Sequence, residues 1–162
     1  MIKISQKNRI DLFVKELGER KPSPGGGAAA ALTGALGAAL IIKVANFTMG
    51  KKKYKRYDKE ARTIAKKAEA LRNKLSAYIE KDARRYSEYA RTRSRAAMQK
   101  ASDCAGEISA FSEEGVRICM RLKKIANRNL KGDMAAAELF LRAAVKAAGK
   151  LVKQKKKRWV VR

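Results

Sequence analysis

Pro22-Ser23-Pro24-Gly25-Gly26-Gly27 is the segment of this sequence best suited to holding a ligand, and it stands immediately before a long apolar run. Three successive glycines let a backbone approach a bound group closely. The helix that follows offers unpaired N–H donors in its first turn. An anionic or carbonyl group fits there. The segment is not a Walker loop, because Gly-Lys-Ser/Thr is missing, nor a dinucleotide fingerprint, because no strand precedes it. The same glycines also serve a tight turn that allows close packing, and spacing alone leaves both readings open.

Asp82 is the best candidate carboxylate. It falls on the apolar seam of a long helical pattern, where desolvation raises an acid's pKa toward values useful for proton transfer. The competing reading turns the helix so that Asp82 meets Lys81, Arg85 or Tyr86 at the surface. Asp133 follows a glycine at a helix start and reads most simply as an N-cap. Asn127 and Asn129 precede it, in a setting where asparagine usually shapes turns. Lys51, Lys52 and Lys53 follow Gly50 at a helix end, where they complement the helix dipole or clamp a polyanion.

The chain has no histidine. Ser-His-Asp and Cys-His pairs, imidazole bases and most catalytic zinc sites are therefore excluded, and no metal is expected. Proton transfer must fall to Asp, Glu, Lys, Tyr or Cys. Cys104 and Cys119 lie in one helical pattern, so fifteen steps of about 1.5 Å hold them roughly 22 Å apart, too far for a disulfide. That suits a reducing, cytoplasmic setting. Met1 to Ile10 is polar, so no secretory signal is expected.

The elements that must position these residues are helices. The 162 residues suffice for one core, prolines number only 2, and no stretch alternates with strand period. Five helices are expected, over Lys7 to Leu17, Ala28 to Met49, Tyr57 to Arg91, Arg95 to Ala126 and Asp133 to Lys155. The third places Ile64, Ala68, Leu71, Leu75, Tyr78, Asp82 and Tyr89 on one seam. The fourth does the same with Ala97, Ala101, Cys104, Ile108, Phe111, Gly115, Ile118, Leu122 and Ile125. Met134, Ala137, Leu141, Ala144, Ala148 and Leu151 let the fifth close the same core. The second helix is apolar all round and rich in Ala and Gly. It is expected to be the buried, central helix rather than a membrane span, and its wide apolar surface predicts a homodimer.

Lys and Arg number 40 against 15 Asp and Glu, a formal charge of +25. Such a surface attracts polyanions, nucleic acid among them, nonspecifically and with steep salt dependence. The positive residues are spread over every helix, and a solvated cationic surface accounts for most of them. Residues 1–155 are expected to form the single domain, and 156–162 a basic tail that serves solubility or touches nucleic acid.

Taken together, several segments resemble the formiminotetrahydrofolate cyclodeaminase and methenyltetrahydrofolate cyclohydrolase family. The carrying residues are Pro22 to Ala30, Leu36-Gly37-Ala38-Ala39-Leu40, Val44 to Tyr54, Asp82, and Asn127 to Asp133. The resemblance implies an all-α dimer that binds tetrahydrofolate, polyglutamylated or not, and works on the one-carbon bridge between its 5 and 10 nitrogens. It implies no cofactor beyond that substrate. It assigns Asp82 as the acid/base, Pro22, Pro24, Gly25, Gly26, Gly27 and Asn46 as ligand contacts, Lys51 to Lys53 as anion contacts, and Asn129 and Asp133 to the same site. The sequence departs from the family pattern at Ala28 and Gly132, each in place of a usual Ser, and in a shorter connection after Asp82. Loss of a Ser at position 28 is expected to remove a helix cap, worth about 1 kcal/mol. The alternative from another functional class is a noncatalytic basic module that binds nucleic acid or a protein.

Overall fold

A computed structural model describes residues 6–160, and all five expected helices are present in it. They are α1 (Gln6–Leu17), α2 (Gly26–Thr48), α3 (Asp58–Thr92), α4 (Arg95–Lys123) and α5 (Lys131–Val160). Two short 3₁₀ helices, Lys52–Tyr57 and Arg128–Leu130, occupy connections expected to be irregular. Among the described residues there is no β-strand. α5 runs through residues 156–160 of the expected basic tail, while 161 and 162 lie outside the described residues.

Four helices form the bundle. α2 lies mainly against α3 and α5 and only lightly against α4, while α4 packs between α3 and α5. α2 and α4 therefore sit diagonally, and α2 is a corner of the bundle rather than an axis enclosed by the others. Its buried side carries Ala31, Ala38, Ile41, Val44 and Ala45 at the core. Its other side, with Leu36 49% and Phe47 54% exposed, is open in a single chain. By length and composition α2 meets the requirement for crossing a membrane, with 23 residues and a mean hydropathy of 1.9, yet more than half of the apolar window is buried by its neighbours.

Small residues allow these helices to approach closely. A Cβ at Gly37 would lie 2.7 Å from Leu141 Cγ, and one at Gly115 would lie 2.5 Å from Leu141 Cδ2. Leu141 thus fills space that two glycines leave on α2 and α4. The α3 seam follows the expected period, with Ile64, Ala68, Leu71, Leu75 and Asp82 buried. On α4 one expectation is corrected. Phe111 is only partly buried, and the adjacent Ser112 is the residue enclosed. Ser112 can be buried because its Oγ donates to Ile108 O at 2.8 Å, which satisfies the hydroxyl within its own helix. Phe111 lies beside Tyr78 instead, ring edge to face at 5.2 Å.

Cys104 and Cys119 are both buried on the unbroken α4 and form no disulfide with each other. α3 and α4 join through a very short link. Arg93 there takes a left-handed backbone with φ of 53°, and Ser94 caps α4 by accepting from Ala97 N at 3.2 Å.

Candidate functional site

The start of α2 differs from its expected form. Gly25 is extended and serves as the N-cap, while Gly26 and Gly27 are already helical. The expected loop is two residues shorter as a result. Ala28, the third residue of α2, is fully buried and does not occupy the cap position, so the family's usual Ser at that position would not have been a cap. No side chain of the N-cap residue satisfies the first N–H groups.

Asp82 faces this helix start. Asp82 is 4% exposed, and a Cβ on Gly27 would overlap its two carboxylate oxygens. Asp82 therefore occupies space available only because residue 27 lacks a side chain. The positive end of the α2 dipole and a carboxylate are complementary in that position. The surface alternative for Asp82 does not hold. Lys81 is turned toward α4, where its Nζ donates to Tyr78 Oη at 2.7 Å and to Glu107 Oε2 at 3.0 Å. The hydrogen bond to Tyr78 raises the Lys81 pKa above its ordinary value despite partial desolvation. Burial alone would raise Glu107, but its hydrogen bonds with Lys81 and Tyr78 outweigh this and hold it low. Arg85 is likewise engaged, 3.5 Å from Glu88.

A cavity of about 210 Å³ opens beside Asp82. Pro22 and Gly25 to Gly27 line it from α2 and the preceding loop, and Tyr86 and Tyr89 line it from α3. Met98 of α4 and Leu151 and Gln154 of α5 complete it. Ser87 Oγ donates to Ser23 Oγ at 2.9 Å, tying the loop to α3 next to the cavity. The two tyrosine rings meet edge-on, with centroids 5.9 Å apart. A flat, partly polar ligand next to a buried carboxylate fits these walls. Neither cysteine lines the cavity. Burial pushes the Cys119 thiol up to about 11, so it stays protonated at neutral pH and is no nucleophile.

The remaining candidates gather elsewhere. Asn46, Lys51, Lys52, Lys53 and Asn129 are exposed around the C-terminal end of α2. Gly27 and Asn46 are nineteen residues apart on one helix, or about 28 Å. Asn127 organises this far end. Its Nδ2 donates to Phe47 O at 3.1 Å, its N–H donates to Thr48 Oγ1 at 3.0 Å, and its Oδ1 accepts from Asn129 N at 3.1 Å. Asp133 is not an N-cap, because α5 begins at Lys131. It lies in the first turn, where a negative charge suits the dipole, and pairs with Lys43 Nζ at 2.9 Å. A single chain thus brings Asp82, Pro22 and the three glycines together and leaves the other candidates at the opposite end of α2. Pro24 belongs with the first group by its place in the loop but is not among the cavity's lining residues.

Sequence reasoning did not single out Tyr86, Tyr89, Met98, Leu151 and Gln154 as site residues. Tyr86 and Tyr89 follow Asp82 by four and seven residues, the spacing of one helix face, and that signal was available. Met98 and Gln154 arrive only through the packing of α4 and α5.

The fold and this site define a class of all-helical protein in which a carboxylate is buried against a glycine-rich helix start, beside a small aromatic-walled cavity. The sequence pattern of the formiminotransferase-cyclodeaminase family matches residues 9–154, and the chain belongs to that family. Among its relatives, a methenyltetrahydrofolate cyclohydrolase of Methylorubrum extorquens is 44% identical over 73 residues, 45% of this chain and 35% of the relative. A formimidoyltransferase-cyclodeaminase of Sus scrofa is 36% identical over 77 residues, 48% of this chain and 14% of the relative. The alignments therefore span about a third or less of these relatives' lengths. The crystal structure of a formiminotetrahydrofolate cyclodeaminase from Thermotoga maritima superposes with a TM-score of 0.85 at 26% identity, covering 96% of this chain and 80% of that one.

Proposed function

We propose that this protein is a folate enzyme acting on the one-carbon bridge between the 5 and 10 nitrogens of tetrahydrofolate, with Asp82 as its acid/base. The observation that carries the reading is the Asp82 carboxylate, buried against Gly27 and opening on a cavity large enough for a flat ring. In the cyclodeaminase reaction the 10 nitrogen attacks the formimino carbon on the 5 nitrogen, a ring closes, and ammonia leaves. In the cyclohydrolase reaction water adds to the methenyl carbon and the ring opens to a formyl group. Each requires a proton to be taken from the nucleophile and delivered to the leaving nitrogen. A positioned carboxylate can do both. Family membership supports the assignment, as do the cyclodeaminase and cyclohydrolase names of its relatives.

The cavity is smaller than the roughly 300–1,000 Å³ typical of sites that enclose a drug-sized ligand. The pterin end of folate is accordingly assigned to this cavity and the rest of the substrate to a surface outside it. A homodimer through the open face of α2 supplies such a surface. That face carries Leu36 and Phe47, and Leu139 of α5 is also 65% exposed. With a two-fold axis at the helix midpoint, residue 37, the chains run antiparallel, and residue 47 of one opposes residue 27 of the other. Asn46 and Lys51 to Lys53 of the partner subunit then flank the Asp82 cavity, where the lysines suit the carboxylates of a polyglutamate tail. The setting assigned to this activity is the cytoplasm, in keeping with two buried cysteines that form no disulfide with each other.

The test follows the near-ultraviolet absorbance of 5,10-methenyltetrahydrofolate, and separately the turnover of 5-formiminotetrahydrofolate, with wild type and Asp82→Asn. Catalysis of either reaction is expected, with a loss of roughly 10²–10⁴-fold in the variant. Turnover of neither substrate by the wild type would overturn the reading.

A further inference from the structure

The side of the bundle away from α2 carries a second feature. Three adjoining hollows run across α3, α4 and α5, and Arg117 of α4 borders all three. The first, about 540 Å³, is flanked by Arg56, Lys59, Lys67 and Arg121. Lys124 extends the furrow along α4, and Arg142 and Lys146 carry it onto α5. Eight cations and three carboxylates, Glu60, Glu113 and Glu114, line the whole, a surplus of five positive charges. Arg121 is paired with Glu60 at 2.7 Å, and Arg142 with Glu138 at 2.9 Å. Among the described residues, no carboxylate is within ion-pair distance of Lys59, Lys67, Arg117, Lys124 or Lys146.

We infer that this furrow is a binding surface for the phosphodiester backbone of duplex nucleic acid, engaged without regard to sequence. α3 and α5 each pack against α4, with neighbouring axes about 8–10 Å apart, so the hollows wrap around α4 and present their cations on both of its flanks. A duplex carries phosphate charges on both strands at high density along its axis, which suits a surface whose lining has five more cations than carboxylates. Four of the eight cations are arginines, whose planar forks suit phosphate oxygens. No aromatic side chain lines the furrow, so it lacks the stacking platform that single strands use. It also holds no arrangement of amide side chains for reading base edges. Because α4 is diagonal to α2, the furrow stays open whether or not the α2 face is covered, and the surface is independent of the folate site.

The experiment measures binding of a fluorescein-labelled mixed-sequence duplex by anisotropy from 50 to 200 mM salt. Neutralising five phosphates predicts a log–log slope of about −4.5 and a loss of about 500-fold in affinity over that range. The triple variant Lys67→Ser, Arg117→Ser, Lys124→Ser is expected to weaken binding and flatten the slope by about 2.7. An equal loss of charge about 25 Å or more along α3 and α4 from Lys67 and Arg117, Arg84→Ser, Arg91→Ser, Lys100→Ser, is expected to leave the slope unchanged. Circular dichroism checks that both variants keep their helices. Equal effects from the two triples would overturn the assignment in favour of diffuse surface charge. Poly-glutamate that competes with the duplex at equal charge would overturn it in favour of an acidic polypeptide.

Discussion

Gly27 and Asp82 are a matched pair, and the match can be tested by adding one carbon. Alanine at 27 would place its Cβ within the Asp82 carboxylate, so either that side chain leaves its position or the first turn of α2 shifts. Overpacking of this kind costs about 1–3 kcal/mol, and displacing the acid should remove most of its catalytic contribution as well. Gly26→Ala is the control. Its Cβ would meet only the Leu151 methyls at 3.7 Å, an ordinary contact, and Ala is the better helix former. Thermal melts are expected to show Gly27→Ala clearly destabilised and Gly26→Ala equal to wild type or above it. A Gly27→Ala protein as stable and as active as wild type would show that the close approach has no role. Asp82 itself was legible in the sequence, because an acid at a seam position interrupts an otherwise apolar pattern. That residue 27 must lack a side chain to admit it was not legible, since the crowding atoms come from a helix fifty residues further along the chain.

At the scale of elements, the 3.6-residue period carried the helices, and their observed ends differ from expectation by a few residues. The larger differences have local causes. α2 starts early, although glycine is a poor helix former, because its first turn packs against Asp82 at Gly27, and α5 starts early because the turn before it, organised by Asn127, closes within a few residues. Phe111 was expected on the seam in place of Ser112 because a hydroxyl reads as polar in the sequence, although a helical serine can satisfy itself on the carbonyl four residues back. The α3–α4 link illustrates a cost that composition does not reveal. Arg93 adopts φ of 53°, a left-handed conformation that costs a residue with a Cβ roughly 1–2 kcal/mol. Arg93→Gly relieves that strain, while greater freedom in the unfolded chain offsets part of the gain. A net stabilisation of about 0.5–1 kcal/mol is expected in urea denaturation. A destabilised variant would show that the contact of the Arg93 guanidinium with the Tyr89 ring, 5.7 Å to its centroid, is worth more than the strain.

At the scale of the whole molecule, the separation of the candidates along α2 makes a prediction that neither end makes alone. Asp82 and the glycines occupy the N-terminal end, and Asn46 with Lys51 to Lys53 the other, about 28 Å away. If the proposed two-fold pairing joins these ends, every active site takes its acid from one subunit and its anion contacts from the other. Two inactive proteins should then repair each other. One carries Asp82→Asn, and the second carries alanine at Asn46, Lys51, Lys52 and Lys53. After unfolding and refolding together in equal amounts, half of the dimers are mixed, and each mixed dimer holds one site with no substitution and one with all of them. About a quarter of wild-type activity should return. If each chain instead held a complete site, refolding would return only the average of the two parents. That result would sink the shared site and leave the role of Asp82 standing, since Asp82→Asn alone tests it. Adding Leu36→Lys to both proteins places charge at the middle of the exposed α2 stripe. Recovery should then disappear together with the dimer in sedimentation, because both depend on burial of that one apolar face.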